Sequence, residues 1–129
     1  GDDTRIGNKY LGYGYGYGGP CFPRDNRALA IFAKELEIDA LISLASDKSN
    51  EKHLQYQLDY YEQNNDKSKQ ICFDTVTYKP ESTMIVESQQ LAYAVGLAKR
   101  GFDVLVRERE SVIDEIKSIY GNLLKYEAS

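Results

Sequence analysis

One cysteine in this chain stands where a thiol could do chemistry. Cys21 follows Gly18-Gly19-Pro20, precedes Pro23, and lies just ahead of a stretch with helix-start signals. A helix N-terminus carries partial positive charge, which favours a thiolate and lowers the pKa of a cysteine held there. Arg24 adds a full positive charge close by, and Asp25 supplies a carboxylate that can orient water or act as a base. The ordinary fate of a free cysteine is burial as a small hydrophobe. That reading fits Cys72, set in the apolar run Ile71-Cys72-Phe73, and the loop around Cys21 argues against it there.

Other chemistries find less support. His53 is the sole histidine, flanked by Lys52 on a polar helix, so it reads as part of a solvated face and not as the base of a Cys-His pair. Two distant cysteines and one histidine cannot fill a zinc shell, so no metal site is expected. Seven of the ten glycines fall within the first 19 residues, most of them in the run GYGYGYGG at 12–19. Such density removes side chains and permits positive φ, so that backbone can approach a ligand closely. The run resembles a dinucleotide fingerprint only in its glycine count, because no strand precedes it. After the predicted strand Ile71–Tyr78 comes Lys79-Pro80-Glu81-Ser82-Thr83 instead of glycines, so the chain shows no NAD site of its own. The net charge of -4 favours neither nucleic acid nor an anionic membrane surface. No apolar run approaches the roughly 20 residues that span a bilayer, and two isolated cysteines read as free thiols of a cytoplasmic protein.

The elements that must hold the Cys21 loop follow from periodicity. A helix is predicted over Asn26–Leu36, capped by Asp25 or Asn26, with Ala28, Leu29, Phe32, Ala33 and Leu36 as its apolar stripe. A second helical stretch runs through Leu41, Ile42, Leu44 and Ala45, and continues or restarts through Leu54, Leu58 and Tyr61. Polar residues at 65–69 form a linker. The pattern then changes to strand Ile71–Tyr78, helix Glu87–Lys99 stopped by Gly101, strand Asp103–Arg107, and a helix from Ser111 to Tyr120. Strand, helix, strand with short links makes a parallel βαβ unit. The fold class is therefore α/β, with a helical Cys-loop segment at 1–64, a linker at 65–69 and a partial Rossmann-like nucleotide-binding unit at 70–129. An elaborate loop at one end and only two strands at the other lead us to expect further sequence on both sides.

Three stretches carry a family resemblance. Asp3-Thr4-Arg5-Ile6-Gly7 and YGYGGPCFPRDNRAL at 15–29 resemble the nucleotide-sugar dehydrogenases, whose motif G-[FY]-G-G-x-C-[FL]-x-K-D surrounds a nucleophilic cysteine. TYKPESTMIVES at 77–88 is similar to the F-K-P-x-T-x-D-x-R-E-S that opens the family's C-terminal nucleotide-binding domain. The resemblance implies an NAD-dependent enzyme that oxidises a sugar primary alcohol to a carboxylate through a cysteine thiohemiacetal and thioester. UDP-glucose is the leading substrate, and GDP-mannose or UDP-N-acetyl-mannosamine are the alternatives. It implies that Cys21 is the nucleophile and Asp25 assists water and proton transfer. It implies further that Tyr10, Leu11, Tyr17, Gly18 and Phe22 wrap the UDP-sugar, that Tyr78 and Lys79 reach it from the second half, and that Arg5 reaches a neighbouring subunit's site. Arg24, at the position of the motif lysine, is the expected cofactor contact, and the helical part is the expected homodimer seam. The pattern departs at Arg24, at Thr75 for a glycine, at Thr83 and Met84 for aspartates, and at Val86 for an arginine. With the family's cofactor domain expected ahead of Gly1, the chain alone should not reduce NAD. Two other readings are a nucleotide-sugar-binding module without catalysis and a helical domain with a redox-sensing thiol at Cys21.

Overall fold

Pro23 sets where the first helix begins. A proline ring fixes φ near the helical value, and its missing N–H is no loss in a first turn. In the computed structural model, which describes residues 2–9, 12–79 and 81–129, α1 accordingly spans Phe22–Glu35 with Cys21 as N-cap and no side-chain cap. The helix thus starts ahead of the expected Asn26, and neither Asp25 nor Asn26 caps it. Asn26 instead ties α1 to α2 (Leu41–Asn64). Its Nδ2 donates to the Ser43 carbonyl at 2.9 Å, and its own carbonyl accepts from Ser43 Oγ at 2.7 Å. The second helix is a single unbroken run of 24 residues.

After α2 come β1 (Ile71–Phe73), α3 (Gln89–Lys99), β2 (Val104–Glu108), α4 (Glu110–Tyr120), a 3₁₀ turn at Gly121–Leu123, and β3 (Lys125–Ala128). The sheet order is β1-β2-β3 and both pairings are parallel, with Ile71 opposite Val104 and Leu105 opposite Lys125. The parallel βαβ unit is as the periodicity predicts. Beyond it lies a third strand that the sequence reading lacks. Lys125-Tyr126-Glu127-Ala128 is short and polar, and only Tyr126 is partly buried. An edge strand needs only its backbone groups to pair, so its side chains carry little signal. Strand β1 is also shorter than the predicted Ile71–Tyr78. Thr75 and Val76 turn away to hydrogen-bond Glu108 instead of extending the ladder. Ser88 fixes the start of α3, accepting the Leu91 N–H at 3.2 Å and donating to the Val76 carbonyl at 2.6 Å. That cap places Glu87 outside the helix.

The core belongs to the sheet and its helices. Val104 and Val106 on β2 alternate inward and meet Leu91, Val95 and Leu97 of α3 and Val112 and Ile116 of α4. Leu58 of α2 joins the same cluster. It can do so because Gly96 offers no side chain: a Cβ there would lie 2.7 Å from Leu58 Cδ1. The expected stripe on α1 is a correction. Of its members only Ala33 is buried, while Leu29, Phe32 and Leu36 are each more than half exposed, as are Leu41 and Ile42 on α2. Cys72 is a second correction: it is exposed, because it occupies the outward position between the inward-facing Ile71 and Phe73. No helix among the described residues is long and apolar enough to cross a membrane.

Candidate functional site

The glycine loop is held down by one face of α2. Asn50, His53 and Gln57 follow one another at helical spacing, so their side chains emerge on the same side. Asn50 Nδ2 donates to the Tyr17 carbonyl at 2.8 Å. His53 Nε2 donates to the Gly14 carbonyl at 2.8 Å, and Gln57 Nε2 reaches the same oxygen at 3.3 Å. His53 is therefore an anchor of the loop and not merely part of a solvated face. A Cβ at Gly16 would overlap Asn50 Oδ1, so a side chain there would have to displace Asn50 from its bond to the Tyr17 carbonyl. Tyr15 adds an edge-on contact with Tyr93, ring centroids 6.0 Å apart.

Farther along, the loop sits on the second half of the chain. The Gly19 N–H donates to the Glu87 carbonyl at 3.2 Å. A Cβ at Gly18 would collide with that same carbonyl oxygen. Gly19 has φ +86, and a Cβ there would lie 2.6 Å from Tyr78 Cδ2. These glycines thus admit the protein's own carbonyl and aromatic ring.

That seat delivers Cys21 to the N-terminus of α1. The Asp25 N–H donates to the Cys21 carbonyl at 2.8 Å. Cys21, Phe22, Asp25, Asn26 and Leu29 line one open cleft of about 400 Å³. A thiol and a carboxylate one helical turn apart therefore share a surface that a small molecule can reach. Tyr17 and Phe22 lie ring to ring at 6.0 Å, and burial pushes the Tyr17 phenol upward. Arg24 Nε donates to Asp25 Oδ1 at 2.8 Å on the exposed side, and this bond raises the guanidinium pKa. Arg24 is thus engaged with the carboxylate.

Tyr78 is half-buried beneath Gly19, its N–H bonded to the Met84 carbonyl at 3.1 Å, and Lys79 Nζ stands 5.3 Å from its ring centroid. The loop that carries both is braced by Glu108, a residue the sequence reading missed. Glu108 is 6% exposed. Its Oε1 accepts from Thr75 Oγ1 at 2.7 Å and from the Val76 N–H at 3.0 Å, and its Oε2 accepts from the Arg109 N–H at 3.2 Å. Burial pushes its carboxyl upward, but the Thr75 and backbone hydrogen bonds outweigh that and hold it below the usual value. A signal existed: Glu108 has the inward parity of Val104 and Val106, where a carboxylate needs a polar partner.

The other expected residues divide. Arg5 is exposed and its side-chain hydrogen bonds go to Asp3, at 2.6 and 3.1 Å, not to the cleft. Tyr10 and Leu11 lie outside the described residues. Thr83, Met84 and Val86 are exposed. Among the described residues no group of three or more His, Cys, Asp or Glu could hold a metal. The turn after β1 does not fit a dinucleotide either. No glycine occurs between Asp74 and Glu87, and Glu108 is 6% exposed and turned to the protein's own donors, away from any ribose.

Comparison with known proteins adds to this geometry. Residues 1–52 match the UDP-glucose/GDP-mannose dehydrogenase family, central domain. The UDP-glucose 6-dehydrogenase of Pseudomonas aeruginosa is 31% identical over 115 residues, covering 87% of this chain and 25% of that protein. The solved structure of a UDP-glucose dehydrogenase from Pyrobaculum islandicum superposes with a TM-score of 0.81 at 28% identity, covering 98% of this chain and 30% of that one. A GDP-mannose dehydrogenase from Pseudomonas aeruginosa, solved as a ternary complex, shares the fold with a TM-score of 0.76 at 21% identity over 97% of this chain and 31% of its own. The chain spans about a quarter of the length of the curated relatives it matches.

Proposed function

Because the chain belongs to the UDP-glucose/GDP-mannose dehydrogenase family, we propose that it forms the thiol-bearing and sugar-nucleotide-binding part of an NAD-dependent UDP-glucose 6-dehydrogenase. One observation carries the reading: Cys21 caps α1 while Asp25, one turn on, lines the same open cleft. The Cys21 thiolate adds to the C6 aldehyde of the substrate, forming a C–S bond, and the carbonyl oxygen takes up a proton to give a thiohemiacetal. After oxidation of that carbon to a thioester, Asp25 accepts a proton from the attacking water. The thiolate leaves and a carboxylate remains. The oxidations need a hydride acceptor, NAD on this reading, for which the described residues form no cradle.

Tyr17, Gly18 and Phe22 form the near wall for the sugar nucleotide, and Tyr10 and Leu11 are further contacts on the family pattern. Tyr78 and Lys79 meet it from the carboxyl end of β1, the end at which parallel sheets take nucleotides. The working division is a helical segment at 1–64, a linker at 65–69 and a nucleotide-binding unit at 70–129. The exposed apolar residues of α1 and α2, including Phe32, Leu41 and Ile42, favour a seam between two copies, with Arg5 directed at the partner's site. Iodoacetamide labelling read by mass spectrometry tests the thiol. Cys21 is expected to react faster than Cys72 near neutral pH, and UDP-glucose is expected to slow it. Both thiols are exposed, and faster labelling of Cys72 removes the nucleophile assignment. Protection by GDP-mannose and not by UDP-glucose moves the substrate to the alternative.

A further inference from the structure

We infer that Arg27 and Glu87 are positioning residues that fix the Cys21 loop over the βαβ unit. The inference rests on the reading of Cys21 as the reacting thiol, and it concerns residues to which that reading gives no role. Arg27 lies on α1, on the turn after Asp25. Its Nη1 donates to Glu87 Oε1 at 2.7 Å, and its Nε is shared between Asp47 Oδ1 and Oδ2, each at 3.2 Å. One guanidinium therefore joins three segments: the cysteine helix, α2 and the approach to α3. Arg100 also crosses between the halves, to Asp59 and Glu62 of α2, but Arg27 makes its crossing from the cysteine helix, whereas Arg5, Arg24 and Arg107 bond to carboxylates within their own half.

Glu87 is the unusual partner. It holds φ 52 although it is not glycine, a conformation that persists only where the surroundings over-determine it. In this conformation its carbonyl receives the Gly19 N–H at 3.2 Å while its carboxylate receives Arg27. Both contacts cross from the helical segment to the βαβ unit, and they flank Cys21 in sequence, from Gly19 on one side and Arg27 on the other. The next residue, Ser88, is buried and bonded to Val76, so Glu87 is tied to the core. A displacement of Glu87 would shift the loop and the helix together, and with them the thiol relative to Tyr78 and Lys79.

The two native thiols supply the ruler. Cys21 and Cys72 are both exposed, one on each half, so nitroxide labels on the two report how the halves sit. In the parent chain we expect one narrow distance distribution. Arg27→Gln and Glu87→Gln are each expected to broaden it and to speed amide exchange at Gly19 about two- to fivefold, as for loss of a partly exposed ion pair. Exchange at Val106 should stay unchanged, which shows that the sheet is intact. The double substitution should be no worse than the worse single one, since both remove the same contact. A parent-like distribution and Gly19 exchange in either single variant, or effects that multiply in the double variant, would overturn the proposal. The thiol reading fails separately, by the relative alkylation rates of Cys21 and Cys72 in the parent chain, and that failure leaves the distance result to stand or fall by itself.

Discussion

Alanine substituted in turn at Gly12, Gly18 and Gly19 separates what each glycine does. At Gly12 a Cβ meets nothing within 4 Å and φ is ordinary, so alanine should be neutral to within about 0.5 kcal/mol. At Gly18 φ is again ordinary, but the Cβ would collide with the Glu87 carbonyl oxygen, a backbone atom that cannot swing aside. Such overpacking costs about 1–3 kcal/mol. At Gly19 the left-handed φ of +86 costs alanine about 1–2 kcal/mol by itself, and contact with the Tyr78 ring at 2.6 Å adds to it. Against these stand the interactions that dock the loop. The Gly19–Glu87 hydrogen bond is worth about 1 kcal/mol, and the Tyr15–Tyr93 edge contact another 0.5–1.5 or so. The penalty at 18 or 19 thus matches or exceeds the Gly19–Glu87 bond, and that end of the loop should lift from Glu87 while the Asn50, His53 and Gln57 bonds keep residues 14–17 on α2 and the sheet stays folded. Hydrogen exchange over residues 12–21, with β2 as internal reference, reads this directly. Fast exchange in the Gly18 and Gly19 variants is expected, with Gly12→Ala like the parent. If Gly18→Ala and Gly12→Ala behave alike, the close approach to Glu87 is not what that glycine is for.

Two stability predictions follow from the core. Glu108→Ala should destabilise by roughly 2–3 kcal/mol at neutral pH, because the buried Val76 N–H and the Thr75 hydroxyl lose a charged acceptor, and the urea midpoint measures it. The folded carboxyl is held below its ordinary value, so its contribution is present above the unfolded pKa of about 4.3 and is lost as pH falls through the lower folded value. Glu108→Gln should therefore narrow the gap in stability between neutral pH and about pH 3, and an unchanged acid limb would contradict the assignment. Gly96→Ala should cost about 1 kcal/mol net, since overpacking against Leu58 exceeds the gain from removing a helical glycine. In a Leu58→Ala background the same change should be neutral or stabilising.

The sequence announces the elements more clearly than the contacts between them. Periodicity finds α2, α3, α4 and β2 because each buries a regular pattern against the sheet, and Gly101 marks the end of α3 in the left-handed conformation its position implies. The start of α1 was legible only through Pro23, while Asp25 and Asn26, good caps by type, serve other partners. Strand β3 and the early end of β1 depend on backbone pairing and on Glu108, which lies 33 residues beyond Thr75. No local pattern encodes such a pair. Cys72 misleads for a simpler reason: an apolar neighbourhood in sequence says nothing about which face of a strand a residue occupies.

The glycine loop shows the same limit from the other side. Its composition correctly signals close backbone approach, but sequence alone cannot say to what. Gly16 makes room for Asn50, Gly18 for the Glu87 carbonyl and Gly19 for the Tyr78 ring, so these glycines serve self-docking. A loop docked by its own backbone holds the next residues at a fixed height. Here those residues are Pro20 and Cys21, and Pro23 then starts the helix that carries the thiol at its N-terminus. Glycine and proline thus act in series, the first placing the loop and the second orienting the helix. The reactivity of Cys21 should then depend on Gly18 and Gly19 as much as on its charged neighbours.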